Sequence, residues 1–261
     1  MTQLVLSLFP GIDLLGMAFE LEGFCVVRGP DVIFGGDIRN FHPPAGRFDG
    51  VIGGPPCQSF SRLAHMVRHN GHQPKFGNLI PEFERCVNET KPKWFIMENV
   101  AGAPIPFVDP RDNDYAIHSF LLNNRQLGEA QNRVRRWTFG HLNERRVLNI
   151  DTVALENADF QHAATGGTRS VPVAIGGSGK IKKRYDKPNG LPFNDRSEIG
   201  YKRLCDAQGV EPPALPGWTV AGKCQAVGNG VPIAMGRAIA RAVKEAIGFS
   251  AESAKSADET I

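Results

Sequence analysis

The sequence predicts an α/β fold, a doubly wound and mainly parallel sheet with helices on both faces, accompanied by a small second lobe. Three observations carry this. Short apolar runs read as strands at Leu4 to Leu8, Phe24 to Arg28, Val32 to Phe34, Val51 to Gly53, Trp94 to Met97 and Arg133 to Phe139. A glycine turn and a helical run near Leu14 to Leu21 follow the first of them. An alanine-rich helical run from Ile233 to Ala246 stands near the far end.

Taken in order, Leu4 to Leu8 leads into Phe9-Pro10-Gly11, a strand, turn and helix arrangement that brings a ligand to a helix N-terminus. Asp13 sits where a helix N-cap belongs, a role its carboxylate fills well. After the strand ending at Arg28 come Gly29, Pro30 and Asp31, then Gly35 to Ile38.

The strand Val51-Ile52 runs into GGPPCQSFS, Gly53 to Ser61. Pro55 and Pro56 each fix φ and remove an N–H, so the chain entering Cys57 has little freedom. Gly53 and Gly54 allow a sharp turn and a close approach of backbone to ligand. Two readings of Cys57 follow: a nucleophile on a stiff loop, needing electropositive neighbours or a proton acceptor, or a buried inert thiol in a Gly/Pro turn.

Residues Arg62 to Phe76 form a long connection without strand or helix pattern, which suits a lid, a binding element or disorder. His65, His69 and His72 lie within it, yet no Cys or acid partners accompany them, so no metal is expected. Arg62, Arg68 and Lys75 make it a basic segment suited to an anionic partner.

Trp94 to Met97 reads as a buried strand that delivers Glu98-Asn99-Val100 at its carboxyl end, where ligands gather in open α/β sheets. In Gln131-Asn132-Arg133-Val134-Arg135 a strand would put Gln131, Arg133 and Arg135 on one face, as a functional pair of guanidinium groups or as a solvated basic edge. Gly228-Asn229-Gly230-Val231-Pro232 reads as a turn before the last helix.

In this order the segments SLFPGIDLLGMAFE, GGDI, PPCQSFS, MENV, QNRVR and GNGVP resemble the DNA cytosine-5 methyltransferase family, from Leu4 to about Val243, with compact phage or prophage members the most similar in size. The resemblance implies a Rossmann-like S-adenosylmethionine-dependent methyltransferase fold with a small target-recognition lobe. It implies DNA cytosine-5 methylation: Cys57 adds to C6 of a flipped cytosine, making C5 nucleophilic. Glu98 is then the group that gives N3 a proton or hydrogen bond, Arg135 the contact to O2, and Arg133 the neighbour supporting the site.

For the methyl donor, S-adenosyl-L-methionine, the resemblance points to Phe9, Pro10, Gly11, Ile12 and Pro55 around the turn. It assigns Asp31 to the ribose, Asp37 and Ile38 to the adenine, Leu79 to the adenine ring, and Asn229 with Val231 to the far side of the pocket. Two positions depart from the family pattern. Asp13, followed by Leu14, replaces glycine, and a carboxylate there would repel the carboxylate of the donor or attract its ammonium. Gly230 replaces a serine.

Double-stranded DNA is the partner implied, held by Gln58, Ser59, Ser61, Arg62 and Arg68. A glycine-rich basic stretch, Arg169 to Lys187, adds Lys180, Lys182, Lys183 and Arg184 against the single acid Asp186. That composition suits a phosphate-tracking segment or a solvated flexible loop. The domain division expected is 1–142 with 219–248 for catalysis and donor binding, 143–218 for a short variable region, and 249–261 as a disordered tail.

With 261 residues the chain has room for one α/β core and a small appendage. No apolar run is long enough to span a membrane and no signal-peptide order opens the chain, so a cytoplasmic protein is expected; a monomer is the expectation for a state the sequence leaves open. The five cysteines show no metal spacing and are expected to be reduced thiols. An RNA cytosine methyltransferase and a non-catalytic nucleic-acid-binding derivative stand as alternatives. The intact Cys57, Glu98, Arg133 and Arg135 argue against the second.

Overall fold

The computed structural model describes residues 2–56, 77–109, 114–129, 131–142, 144–153 and 197–249. Cys57, Gln58, Ser59, Ser61, Arg62, Arg68, Lys180, Lys182, Lys183 and Arg184 lie outside the described residues, as do the histidine-bearing loop 62–76 and residues 250–261.

Among the described residues one six-stranded sheet organises the fold, in the order β2-β1-β3-β4-β6-β5. Its strands are β1 Leu4–Leu8, β2 Cys25–Arg28, β3 Gly50–Gly53, β4 Trp94–Val100, β5 Tyr115–Asn123 and β6 Val134–Leu142. From β2 through β4 all pairings are parallel, and β6 runs antiparallel to both β4 and β5.

The two-residue side-chain period of the strands sorts the core into two layers. Val5, Ile52 and Ile96 face α1 (Leu14–Leu21) and α5 (Ile233–Ala246), meeting Leu15, Phe19, Met235 and Ile239. Leu6, Val51, Phe95 and Met97 face α2 (Ile80–Thr90), meeting Phe83, Cys86 and Val87. Helices therefore cover both faces, as the continuous apolar strands require. The C-terminal helix returns to α1, where Arg237 Nε lies 2.7 Å from Glu22 and Lys244 donates to the Glu22 carbonyl.

Two more helices, α3 (Glu198–Gln208) and α4 (Val220–Asn229), build a third cluster in which Tyr201, Leu204, Cys205 and Val227 pack on Leu14 and Ala18. Thus α3, within the stretch read as variable, buries its apolar face against the helix that follows β1. Among the described residues no helix is long and apolar enough to cross a membrane.

Four local expectations are corrected. Val32–Phe34 forms an exposed 3-10 turn rather than a strand, because the Asp31 carboxylate caps Ile33 N–H and Gly35 closes the turn at φ 82°. That leaves β2 as a sheet edge. Strand β5 was not anticipated; its polar centre, His118-Ser119, interrupts the apolar pattern, and it forms by hairpin pairing with β6. The basic segment is no solvated edge, since β6 lies between β4 and β5, and the strand starts only at Val134, so Gln131 and Arg133 precede it. Gly228 and Asn229 end α4 instead of forming a turn.

Candidate functional site

The carboxyl ends of β1, β3 and β4 are adjacent in the sheet. Leu8 pairs with Gly53, and Gly53 with Met97, so the turn after β1, the GGPP segment and Glu98 lie side by side. Gly53 has to be glycine: a Cβ there would stand 2.9 Å from the Leu8 carbonyl oxygen. At Gly54 a Cβ would come 3.2 Å from Glu98 Oε2, so this carboxylate rests against the backbone three residues before Cys57. Pro55 is buried, and its carbonyl accepts from Asn99 Nδ2 at 3.2 Å. One strand end therefore carries both the carboxylate and the anchor of the proline segment.

Glu98 pairs in register with Trp137, and Val100 with Arg135, which puts Glu98 and Arg135 on one face of the sheet. Arg135 Nε lies 2.8 Å from Glu98 Oε1, with the two side chains only 16% and 12% exposed. Its Nη1 donates to the Val134 carbonyl, so the fork is oriented from two directions.

Arg133 goes elsewhere. Its guanidinium donates to the carbonyls of Gly228, 3.2 Å, and Gly230, 3.0 Å, at the C-terminal end of α4. That end is rich in partial negative charge and carbonyls without helical partners, which is how a 2% exposed arginine is tolerated. Gln208 Nε2 bonds Val227 and Gly230 at the same place. The two arginines thus divide the work: Arg135 meets the carboxylate, and Arg133 ties the last helices to the sheet.

The segment before β6 is set by Asn123, whose Nδ2 donates to Asn132 and whose Oδ1 accepts from Arg133 N–H. Sequence reasoning missed Asn99, Asn123 and Gln208. The only available signal was Asn99 beside Glu98, and the repeated asparagines flanking the hairpin.

In the turn after β1, Phe9, Gly11 and Asp13 all have positive φ, 54°, 57° and 61°. Such dihedrals are strained for Phe9 and easy for Gly11. Asp31 Oδ2 accepts from Gly11 N–H at 2.8 Å while its Oδ1 accepts from Ile33 N–H, so one carboxylate joins the turn after β1 to the segment after β2. Asp37 is held by Arg39, with Nη2 at 2.6 Å, and this contact together with the Arg39 N–H holds its carboxyl below the usual carboxylate range. Ile38 is buried in the α2 layer, and its carbonyl accepts from Arg85 Nη2 at 2.8 Å. Leu79, just ahead of α2, is partly buried in that layer.

Ile12 packs in the α3 and α4 cluster and Val231 in the α1 and α5 layer, so both side chains point into core. Asn229 is exposed, and Pro10 is half-buried, its carbonyl accepting from Asp13 N–H. The two departures in this region are explained by packing. A Cβ on Gly230 would stand 2.6 Å from Leu14 Cδ1, so the side chain at 14 fills the space that one at 230 would need. Asp13 is 1% exposed and caps α1, accepting from Gly16 N–H at 3.0 Å and from Ser7 Oγ at 2.8 Å. Arg28 Nε lies 2.8 Å from its Oδ2, an ion pair whose N–H is not aligned as a hydrogen bond.

Burial pushes the Cys86 and Cys205 thiols up to about 11, which ill suits these two to nucleophilic work.

The chain is similar in sequence to several known methyltransferases. The type II methyltransferase M.NgoPII of Neisseria gonorrhoeae is 25% identical over 231 residues, covering 81% of this chain and 59% of that protein. M.FnuDI of Fusobacterium nucleatum is 27% identical over 176 residues, 56% of this chain and 49% of that one. The orphan methyltransferase M.SPRI of Bacillus phage SPR is 28% identical over 165 residues, 52% and 37% respectively. The chain spans about half the length of these relatives. Among solved structures, the Entamoeba histolytica methyltransferase EhMeth superposes with a TM-score of 0.58 at 12% identity, over 95% of this chain and 99% of that one. The S. pombe Dnmt2 methyltransferase gives 0.55 at 11%, over 94% and 99%. At these identities the two structures speak for the fold, a Rossmann-like methyltransferase sheet. The model of the C-5 cytosine-specific DNA methylase family matches residues 32–186, more than half of the sequence, and the chain belongs to that family.

Proposed function

We propose that this protein methylates C5 of cytosine in double-stranded DNA, using S-adenosylmethionine as methyl donor and Cys57 as nucleophile. The observation that carries the reading is the Glu98–Arg135 pair, 2.8 Å apart and set against the backbone at Gly54, three residues before Cys57.

The Cys57 thiolate adds to C6 of the base, and the ring electrons move toward N3 and O2. Glu98 supplies the proton or hydrogen bond at N3, and Arg135 holds the charge growing on O2. The C5=C6 bond is thereby consumed and C5 becomes an enamine-type carbon able to take a methyl group. When bound, S-adenosylmethionine supplies that methyl on a positively charged sulfur. Loss of the C5 proton then restores the double bond and expels Cys57. A stacked base is out of reach of this site, so the cytosine has to leave the duplex.

The residues on the donor side fit an adenosyl ligand. Asp31 keeps lone pairs for ribose hydroxyls beyond those used by Gly11 and Ile33, and Asp37 can accept from the adenine amino group beside its Arg39 contact. A Cβ at Gly11 would meet nothing within 4 Å, so that turn offers open space to a ligand. Gln58, Ser59, Ser61, Arg62 and Arg68, with Lys180, Lys182, Lys183 and Arg184, would hold DNA phosphates.

The test is covalent trapping with duplex DNA carrying 5-fluorocytosine, in the presence of the donor. Wild-type protein should form an adduct and Cys57→Ala none. Absence of an adduct with DNA, or an adduct only with 5-fluorocytidine in RNA, would overturn the assignment.

A further inference from the structure

The turn after β1 and the N-terminus of α1 form the kind of place where an anionic group of a ligand is usually met by backbone N–H groups and the helix dipole. In this chain the place is already taken by one of its own carboxylates. Asp13 receives Gly16 N–H and the Ser7 hydroxyl, and almost none of its surface reaches solvent. Gly16 permits this contact, since any Cβ there would overlap the Asp13 carboxyl group. A buried carboxylate therefore stands at the helix end beside the turn after β1.

Its counterion comes from the neighbouring strand. Arg28, the last residue of β2, pairs in register with Ser7 and extends its Nε to 2.8 Å from Asp13 Oδ2. Its Nη2 lies 3.3 Å from Glu20 on α1, and the side chain is 48% exposed. Two charges this close act at a distance as a dipole, whereas Asp13 without Arg28 would act as a full charge in a poorly solvated place.

An S-adenosyl ligand has an uncharged adenosyl end and a zwitterionic amino-acid end, whose carboxylate is the group that a helix N-terminus and its backbone N–H groups attract and that an unpaired Asp13 would repel. We propose that Arg28 is a positioning residue for the methyl donor: by pairing with Asp13 it cancels the negative charge this chain carries at the α1 N-terminus and so permits the donor's amino-acid end to bind there. This rests on the proposed use of S-adenosylmethionine. The adenosyl end should be indifferent to it, which separates an electrostatic role from a purely structural one.

Calorimetric titration of the full chain with two probes makes that separation. S-adenosylhomocysteine carries the amino-acid end, and 5′-methylthioadenosine lacks it. Arg28→Gln should weaken S-adenosylhomocysteine about tenfold, as one charge felt across several ångströms of partly solvated protein gives, and leave 5′-methylthioadenosine within about twofold. Arg28→Lys, which keeps the charge, should bind nearly as wild type. In Asp13→Asn/Arg28→Gln, with the charge gone and the cap kept, S-adenosylhomocysteine affinity should return. Equal weakening of both probes, unchanged or tighter binding by Arg28→Gln, or no recovery in the double variant would overturn the proposal. Wild-type protein that binds neither probe would remove the donor assignment itself.

Discussion

Arg135 and Glu98 reach each other from two antiparallel strands, Nε to Oε1 at 2.8 Å, although they are neither directly paired nor near in sequence. Both are more than four-fifths buried, so the pair has little water to fall back on, and its geometry is stiff. We expect Glu98→Gln to slow single-turnover methylation by about 10²-fold or more, the size found when one preorganised group is removed from a developing charge. DNA affinity should change little. Arg135→Lys keeps the charge but loses the fork, and should cost nearly as much. Single-turnover rates beside DNA titrations check both, and an unchanged rate in either variant would remove that residue from the chemistry.

Asn99 anchors the Gly/Pro segment after β3. Its Nδ2 holds the Pro55 carbonyl and its Oδ1 accepts from Val100 N–H, which fixes the approach to Cys57 from the strand that carries Glu98. Asn99→Leu removes both bonds at similar volume. A shift of about 1 Å in a reacting group can cost 10²-fold in rate, so the methylation rate should fall by about 10- to 100-fold. Stability should fall by only about 1–3 kcal/mol, since of the two lost bonds only the one to Pro55 is fully buried. Parallel denaturant melts and rate measurements decide: a loss of rate that merely tracks loss of folded protein would refute a positioning role.

Strands β1, β3 and β4 were readable because they are buried on both faces and so appear as nearly continuous apolar runs; Leu4 to Leu8 and the last helix have the predicted limits. Glu98 and Arg135 were readable as residues at a strand end and in a basic strand. Their meeting was not, because it depends on β6 entering antiparallel beside β4, and antiparallel register is set by a hairpin whose first strand has a blurred pattern. Arg133 shows the same limit. Alternation assigned it to the face of Arg135, but Asn123 holds the chain outside the strand there and turns the guanidinium to α4. Short polar bonds of this kind override strand propensity and leave almost no periodic trace.

Leu14 and Gly230 are coupled by volume. A Cβ at 230 would stand 2.6 Å from Leu14 Cδ1, within a well-packed junction of α1, α4 and α5. Gly230→Ser should therefore destabilise by about 1–3 kcal/mol, the usual range for overpacking. Leu14→Ala opens a cavity and should also destabilise alone. Placed together, the two changes should be less harmful than their sum, since the hydroxymethyl group takes space the leucine vacates. A double-mutant cycle by urea denaturation reads this directly, and strict additivity would show that Leu14 moves aside without cost.

The buried Asp13 predicts a pH dependence with a definite sign. Burial raises its carboxyl above the ordinary value, and the opposing contacts of Ser7, Arg28 and Gly16 do not fully offset that. A raised folded-state value means that the folded form holds the proton more tightly than the unfolded chain. The contribution to stability is then fully present below the unfolded value of about 4 and is lost as pH rises through the higher folded value. Asn in place of Asp keeps the cap, tolerates the left-handed dihedral and never ionises. Asp13→Asn should accordingly melt above wild type at pH 8, with the difference shrinking toward zero as the pH falls to 4. Thermal melts of both proteins across that range test it. A difference that grows on acidification would mean that the Arg28 ion pair outweighs burial, and that Asp13 is more stable charged than neutral.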